Sequence, residues 1–239
     1  MTMNQVLEKI YDTKSVEDAE GNIINPFPTA TSYEIGTLFQ NLIKEHKLDR
    51  TLEIGMAYGL STMFICQAHR DKGSGSHIAI DPFQSTYWKS IGLLNIEKSG
   101  LSDILKFYQG LSYEVLPQLL AQDKIDFAFI DGSHHFDYTL VDFFYIDKLL
   151  EVGGYVVLDD IWMPGVRKVL YYILQNRAYE VVKTQNNENV GVRIKRLTKR
   201  FLQNPLERNY RGVKFTPGNI CVLRKISEDE REWDFYRSF

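Results

Sequence analysis

Short apolar strands alternate with helical stretches through the middle of this 239-residue chain, and this order constrains its fold most strongly. Strand and helix alternating five times predicts a parallel sheet with helices on both faces. The expected strands are Thr51–Ile54, His77–Ile80, Leu105–Tyr108, Ile125–Ile130 and Tyr155–Leu158, followed by Tyr179–Lys183 and Ile220–Lys225. The helices expected between and after them are Ser61–His69, Tyr87–Ser99, Tyr113–Ala121, Tyr138–Leu150 and Val166–Gln175.

The N-terminal residues and a basic segment near the C-terminus lie outside this alternation. Residues 1–30 are predicted to be irregular, and a helix follows that Thr31 and Glu34 would begin as a capping box. Residues 1–48 are expected to form an N-terminal helical cap on the acceptor side of the main domain, residues 49–239. Within that domain, a strongly basic insertion at about 186–217 interrupts the pattern. A solvated insertion, a lid over an anionic ligand and a patch for an acidic partner all fit it.

Composition excludes several functional classes. The net charge of −3 gives no general attraction to nucleic acid or to anionic membranes. The N-terminal segment lacks the apolar run of a signal peptide, and no stretch of about 18 apolar residues is present to span a membrane. The two cysteines, Cys66 and Cys221, lie in apolar patterns and are expected to be buried free thiols. These features predict a cytoplasmic protein.

A glycine-containing turn joins the first strand to the next helix in the stretch TLEIGMAYGLSTMFI. In open parallel sheets, ligands bind beyond the carboxyl ends of the strands, and glycine lets the backbone approach them closely. The spacing of a dinucleotide fingerprint would place glycines where Ala57 and Leu60 stand, which disfavours NAD. The second strand ends in Asp81, an acid able to accept hydrogen bonds from ribose hydroxyls.

With these residues in place, the chain resembles the class I S-adenosylmethionine-dependent methyltransferases. The matching stretches are LEIGMAYGLS, HIAIDPF, FYQGLSYEVLP, FAFIDGSHHFDYTLVDF and LLEVGGYVVLDDI, covering roughly residues 50–162. The resemblance implies a Rossmann-like α/β fold with a seven-stranded sheet, mostly parallel, whose last strand is antiparallel. It also implies a set of residues around S-adenosylmethionine: Glu53, Gly55, Ala57, Tyr58, Gly59, Ser61, Asp81, Gly110, Leu111, Ser112 and Asp131. Among these, Asp81 would hold the ribose, and residues 110–112 would lie along the adenine.

Three aspartates follow two neighbouring strands. Asp131 ends the fourth strand, and Asp159 and Asp160 end the fifth. Carboxylates converging at one sheet edge repel one another unless a cation neutralises them, and carboxylates suit Mg²⁺, Mn²⁺ or Ca²⁺. Metal-dependent O-methyltransferases of the catechol and macrolide-sugar kinds carry acids at these places, so the resemblance implies a metal held by Asp131, Asp159 and Asp160.

His134 follows Asp131 by three residues, where the catechol enzymes place a lysine base. Histidine titrates near neutrality, so His134 is the candidate general base, with Asp131 as its catalytic companion. A loop or metal-binding role for His134 stays open. Phe83, Tyr87, Trp88 and Trp162 follow the strand ends and are candidates to line an acceptor pocket.

The predicted function is therefore metal-assisted O-methylation of a small molecule, with a sugar or other polyol hydroxyl as the first expectation. Two alternatives stay open: a metal-independent methyltransferase acting on a protein or nucleic acid through the basic insertion, and a cofactor-binding protein without turnover. A homodimer is compatible with the sequence, which does not establish one.

Overall fold

A seven-stranded sheet forms the centre of the structure, a computed structural model that describes residues 3–182 and 219–239. Its strands are Arg50–Ile54 (β3), Ser76–Ile80 (β4), Leu105–Tyr108 (β5), Ile125–Ile130 (β6), Leu150–Leu158 (β7), Tyr179–Val181 (β8) and Cys221–Lys225 (β9). The helices are Gln5–Thr13 (α1), Tyr33–Glu45 (α2), Leu60–Lys72 (α3), Ile91–Lys98 (α4), Ser112–Leu119 (α5), Phe136–Leu149 (α6) and Pro164–Asn176 (α7). A two-stranded hairpin of Val16–Glu17 (β1) and Ile23–Ile24 (β2) precedes α2.

The spatial order of the sheet is β5-β4-β3-β6-β7-β9-β8. Neighbouring strands from β5 to β7 run parallel, whereas β9 is antiparallel to both β7 and β8. This confirms the predicted mostly parallel sheet with an antiparallel last strand. The chain order reverses between β3 and β6, so the switch point, where ligands bind in such sheets, lies between these two strands.

Alternating side chains of the central strands supply two cores, as the two-residue period of a strand requires. One face carries Leu52, Ile130 and Leu158 into a cluster with residues of α5, α6 and α7. The opposite face carries Phe127, Phe129 and Val157 against residues of α2 and α3. Because both faces are covered, the strand sequences are almost continuously apolar.

The N-terminal prediction of an irregular segment is wrong. Asn4 caps α1 by accepting the N–H of Val6, and the helix buries Leu7 and Ile10 in a cluster shared with α3 and α4. The apolar residues in QVLEKIYD already have the spacing of an amphipathic helix. The proposed division at residues 48 and 49 stays a prediction.

Two predicted helix starts are also wrong. Ser32, not Thr31, caps α2, since its Oγ accepts the N–H of Ile35 at 3.4 Å. The helix expected from Tyr87 begins only at Ile91, because Lys89 and Ser90 adopt left-handed backbone conformations with φ of +50° and +59° that no α-helix contains. The basic insertion at about 186–217, and Lys183 of the predicted eighth strand, lie outside the described residues.

Both cysteines are buried and unpaired, as expected. In the described ranges, no helix combines the length and apolar character needed to cross a membrane.

Candidate active site

The turn after β3 lies at the switch point and contacts the loop after β6. Gly55 has a φ of +92°, and a Cβ on it would lie 2.0 Å from the carbonyl oxygen of Asp131. Gly59 has a φ of +77°, and its Cβ would lie 2.9 Å from the carbonyl oxygen of Gly92. Both positions therefore require glycine for backbone packing, in addition to any ligand that the turn holds.

Asp81, at the end of β4, supports this turn. It is 2% exposed, and its Oδ2 accepts the N–H groups of Met56 and Ala57 at 3.1 and 2.8 Å. Its Oδ1 accepts the N–H of Phe83 at 2.7 Å. The turn thus depends on a buried carboxylate, and the ribose-binding role expected of Asp81 stays a prediction.

Gln84 is a residue at this turn that the sequence reasoning missed. Its side chain is fully buried and donates from Nε2 to the carbonyl oxygen of Ala57 at 2.6 Å and to Asp81 Oδ2 at 3.2 Å. It therefore crosslinks the turn to the end of β4. No motif pointed to it, because its role depends on a contact between two separate loops.

The buried side chain of Glu53 connects β3 with the start of α3. It accepts a hydrogen bond from the hydroxyl of Thr62, and its Oε1 lies 3.4 Å from Nε2 of His77. Ser61 is buried in the first turn of α3. Tyr58 packs edge-to-face on Trp88, with ring centroids 5.0 Å apart. These placements keep the predicted cofactor residues of this turn on one rigid strand–turn–helix unit.

The third part of the predicted cofactor set lies at the start of α5. Gly110 follows β5, Leu111 occupies the N-cap position, and Ser112 begins the helix. Asp142 of α6 lies behind this turn and was missed by the sequence reasoning. It is 1% exposed, and burial raises its pKa to about 6 while a hydrogen bond with Ser112 opposes the shift. The only sequence signal for Asp142 was the presence of an acid within an apolar helix pattern.

An acidic cluster formed by Asp131, His134 and Asp160 lies beside the glycine turn. Nε2 of His134 is 3.1 Å from Oδ2 of Asp160 and 3.5 Å from Oδ1 of Asp131. One ligand atom from each of the three residues lies within 4.8 Å of the others. Nε2 is buried and is aligned with neither oxygen for a hydrogen bond. The three side chains therefore have ligand atoms close enough together to bind one cation.

The electrostatics of the acidic cluster show an excess of negative charge. Burial, with the charges of Asp159 and Asp160, raises the pKa of Asp131 to about 7 although His134 opposes the shift. Contact with the Asp131 carboxylate in turn raises the pKa of His134 above its ordinary value. A divalent cation at this point would relieve the repulsion between the carboxylates.

Asp159 is placed differently from the other two predicted metal ligands. Its Oδ1 accepts the N–H of Asp160 at 2.7 Å, a contact that holds the turn after β7. Burial raises the pKa of Asp159 to about 6. Within the described part of the chain, the metal-binding geometry joins His134, not Asp159, to Asp131 and Asp160. The role of Asp159 as a ligand stays a prediction.

Residues 52–161 match the family described as a methyltransferase domain. The segment begins in β3, just before the glycine turn, and ends after Asp160, so it contains both features of the site. This segment of the chain is thus similar to methyltransferase domains.

Relatives of this methyltransferase domain include a caffeoyl-CoA O-methyltransferase from Populus kitakamiensis. It is 31% identical over 141 residues, which are 56% of this chain and 56% of the relative. Tricin synthase 1 from Oryza sativa subsp. japonica is 31% identical over 145 residues, covering 56% of this chain and 54% of the relative. The chain thus matches about half the length of these relatives.

Solved structures share the fold of the methyltransferase domain. An O-methyltransferase of tomaymycin synthesis from Streptomyces achromogenes, in complex with SAM, superposes with a TM-score of 0.65 at 16% identity, covering 95% of this chain and 92% of that one. An O-methyltransferase from Bacillus cereus in complex with SAH has a TM-score of 0.62 at 20% identity, and the match covers 78% of this chain and 86% of that one. At these identities the likeness establishes the architecture.

Proposed function

We propose that this protein transfers a methyl group from S-adenosylmethionine to a hydroxyl oxygen of a small molecule, assisted by a divalent cation. The observation that carries the proposal is the contact between the glycine turn and the loop of Asp131. This contact brings the predicted cofactor turn and the acidic cluster together at the switch point. The methyltransferase domain and its O-methyltransferase relatives support the same reaction class.

The residues of the turn hold the cofactor in this proposal. The backbone from Gly55 to Gly59 borders its methionine portion, with Asp81 and Gln84 keeping the turn in shape. Residues 110–112 lie along the adenine. The sulfonium of S-adenosylmethionine supplies a good leaving group, so the protein needs no covalent intermediate and acts by positioning the two reactants.

His134 accepts the proton of the acceptor hydroxyl in this proposal. Its proximity to Asp131 and Asp160 raises its basicity, which suits proton removal near neutral pH. Oδ1 of Asp131 lies 3.5 Å from Nε2 of this imidazole and favours its protonated form by charge. The sequence-based assignment of His134 as the base is therefore kept, with a ligand role as the alternative that experiment decides.

The donor set fits a hard divalent cation. Asp131 and Asp160 offer carboxylate oxygens, the ligands that Mg²⁺ and Mn²⁺ prefer, and the buried Nε2 of His134 is unbonded beside them. When bound, such a cation lowers the pKa of a hydroxyl and fixes its direction.

The proposal also includes the chemical class of the methyl acceptor. A polyhydroxylated sugar or other polyol is the acceptor expected from the sequence. Several relatives carry the name caffeoyl-CoA O-methyltransferase, which adds phenolic hydroxyls to the classes worth testing. Either class offers a neutral hydroxyl to the acidic cluster.

Calorimetric titration of S-adenosylmethionine and S-adenosylhomocysteine, with Mg²⁺ and with EDTA, tests the proposal. We expect micromolar cofactor binding, cation binding that Asp160→Ala abolishes, and methyl transfer to members of a panel containing sugars and caffeoyl-CoA. Cofactor binding without cation binding would remove the metal role and favour macromolecular acceptors. Binding of neither would favour a protein without turnover.

A further inference from the structure

Trp162 holds one of the two carboxylate oxygens of Asp160. Its indole Nε1 donates a hydrogen bond to Oδ1 of Asp160 at 2.7 Å. The other oxygen, Oδ2, is the atom that lies 3.1 Å from Nε2 of His134. The two oxygens of this carboxylate therefore have separate partners, and Oδ2 is the oxygen beside His134.

The loop that carries Trp162 is fixed from several sides. The N–H of Ile161 donates to the carbonyl oxygen of Asn219 at 2.8 Å, and the N–H of Met163 donates to that of Asp160 at 2.8 Å. The buried Arg167 donates from Nη1 to the carbonyl oxygen of Trp162 at 3.3 Å. With its backbone held by these bonds and α7 beginning at Pro164, the indole N–H is directed at Asp160 in advance of any ligand.

The backbone of Asp160 has a consequence for the same contact. Its φ of +48° is in the left-handed region, which Asp adopts more readily than most residues. Its carboxylate lies between two side chains, with Oδ1 bonded to the indole and Oδ2 beside Nε2 of His134. The indole N–H is the partner observed for Oδ1.

We propose that Trp162 is a positioning residue that restricts Asp160 to a single ligand oxygen and so makes the site select a small octahedral cation over Ca²⁺. This inference rests on the proposed function, because it concerns the cation of that site. Mg²⁺ binds through one or two carboxylates at near-ideal octahedral geometry, whereas Ca²⁺ accepts bidentate carboxylates and higher coordination numbers. An occupied Oδ1 therefore penalises Ca²⁺ more than it penalises Mg²⁺ or Mn²⁺. Hydrogen bonds to ligating side chains commonly control metal affinity in this way.

The test compares Trp162→Phe with the unchanged protein by calorimetric titration of Mg²⁺, Mn²⁺ and Ca²⁺. Phenylalanine keeps an aromatic ring and removes the N–H donor, and Trp162 is 53% exposed, so the fold is expected to survive. Affinity for Mg²⁺ and Mn²⁺ is expected to fall about tenfold or more, while affinity for Ca²⁺ falls less or rises. Trp233→Phe is the matched control, since Trp233 is 95% exposed and should leave all three affinities unchanged.

The outcomes separate the two proposals. Unchanged Mg²⁺ affinity in Trp162→Phe overturns the positioning role. An equal loss for all three cations overturns the selectivity and indicates a general structural effect. If the unchanged protein binds S-adenosylhomocysteine but none of the cations, the metal part of the proposed function fails, and this inference fails with it.

Discussion

Gly55 and Asp131 are in direct backbone contact across the switch point: a Cβ on Gly55 would lie 2.0 Å from the carbonyl oxygen of Asp131. The first residue of the predicted cofactor turn and the first residue of the acidic cluster therefore constrain one another. A change in one loop is transmitted to the other through rigid backbone, since neither strand end has room to absorb it.

Gly55→Ala tests this coupling. The methyl group must displace the Asp131 loop, so we expect both cofactor affinity and Mg²⁺ affinity to fall at least tenfold, together with a loss of about 2–3 kcal/mol in stability, comparable to overpacking of a core. Calorimetry and thermal unfolding measure the three quantities. Gly73→Ala is the control, because Gly73 has a similar φ of +81° but open space around its Cβ position. If both variants behave alike, backbone strain alone explains the effect.

Asp81→Asn tests whether Asp81 supports the turn as well as the ribose. An amide has a single acceptor oxygen, so at least one of the N–H groups of Met56, Ala57 and Phe83 would lose its partner. We expect the ligand-free protein to lose about 1–3 kcal/mol of unfolding free energy, the usual cost of an unsatisfied buried group. Asp103→Asn, at an exposed ion pair with Arg70, should change little. A cofactor-only role for Asp81 predicts unchanged stability without ligand.

His134→Gln separates a base from a ligand. If His134 is the general base, its replacement should reduce the turnover number by about 10²- to 10⁴-fold, while the affinity for Mg²⁺ stays within a few-fold. The rate–pH profile should also lose its acidic limb, which reports the His134 imidazole. A loss of cation binding that matches the loss of activity would instead identify His134 as a metal ligand.

The pH dependence of stability should report His69. Its ring is 1% exposed, and Nε2 lies 2.8 Å from the hydroxyl of Thr51, which also lies 2.9 Å from Nδ1 of His77. Burial lowers the pKa of His69 to about 4 from an ordinary 6.5. The unfolded chain therefore binds the proton first as the pH falls.

The contribution of His69 to the free energy of unfolding is complete above pH 6.5 and falls to its minimum near pH 4. At 1.36 kcal/mol for each pKa unit, the loss is about 3 kcal/mol. Urea unfolding of the unchanged protein and His69→Gln at pH 4.5, 5.5 and 7 would measure it. The variant should show a shallower slope between pH 5.5 and 7, and parallel slopes would contradict this assignment.

Features that depend on local pattern could be predicted from the sequence. The strand–helix alternation predicted the parallel sheet, and the resemblance to the methyltransferases implied its antiparallel last strand. Acids at strand ends predicted that Asp131 and Asp160 would converge. Helix α1 also has apolar residues at helical spacing, so its sequence contains enough information to predict it. The late start of α4 depends on two left-handed residues, Lys89 and Ser90, for which side-chain type gives little warning.

Features that depend on side-chain direction could not be predicted. Asp159 and Asp160 are adjacent and identical in type, yet one carboxylate holds the turn and the other joins the acidic cluster. Asp81 was expected to face a ligand, and nothing in the sequence indicated that its oxygens also accept backbone N–H groups from the glycine turn and from Phe83. Such choices are decided by loops that come together only in the folded protein.

The position of β9 has a consequence for how the chain is made. Asp159 and Asp160 follow β7, and the outer neighbour of this strand, β9, is formed by residues 221–225, more than 60 positions later in synthesis. Until those residues leave the ribosome, β7 is an unpaired apolar edge, the kind of surface that recruits other chains. The bond from Ile161 to Asn219 also forms only then. The loop after Asp160 therefore gains this support only after β9 has been made, and until then the exposed edge of β7 favours association with other chains.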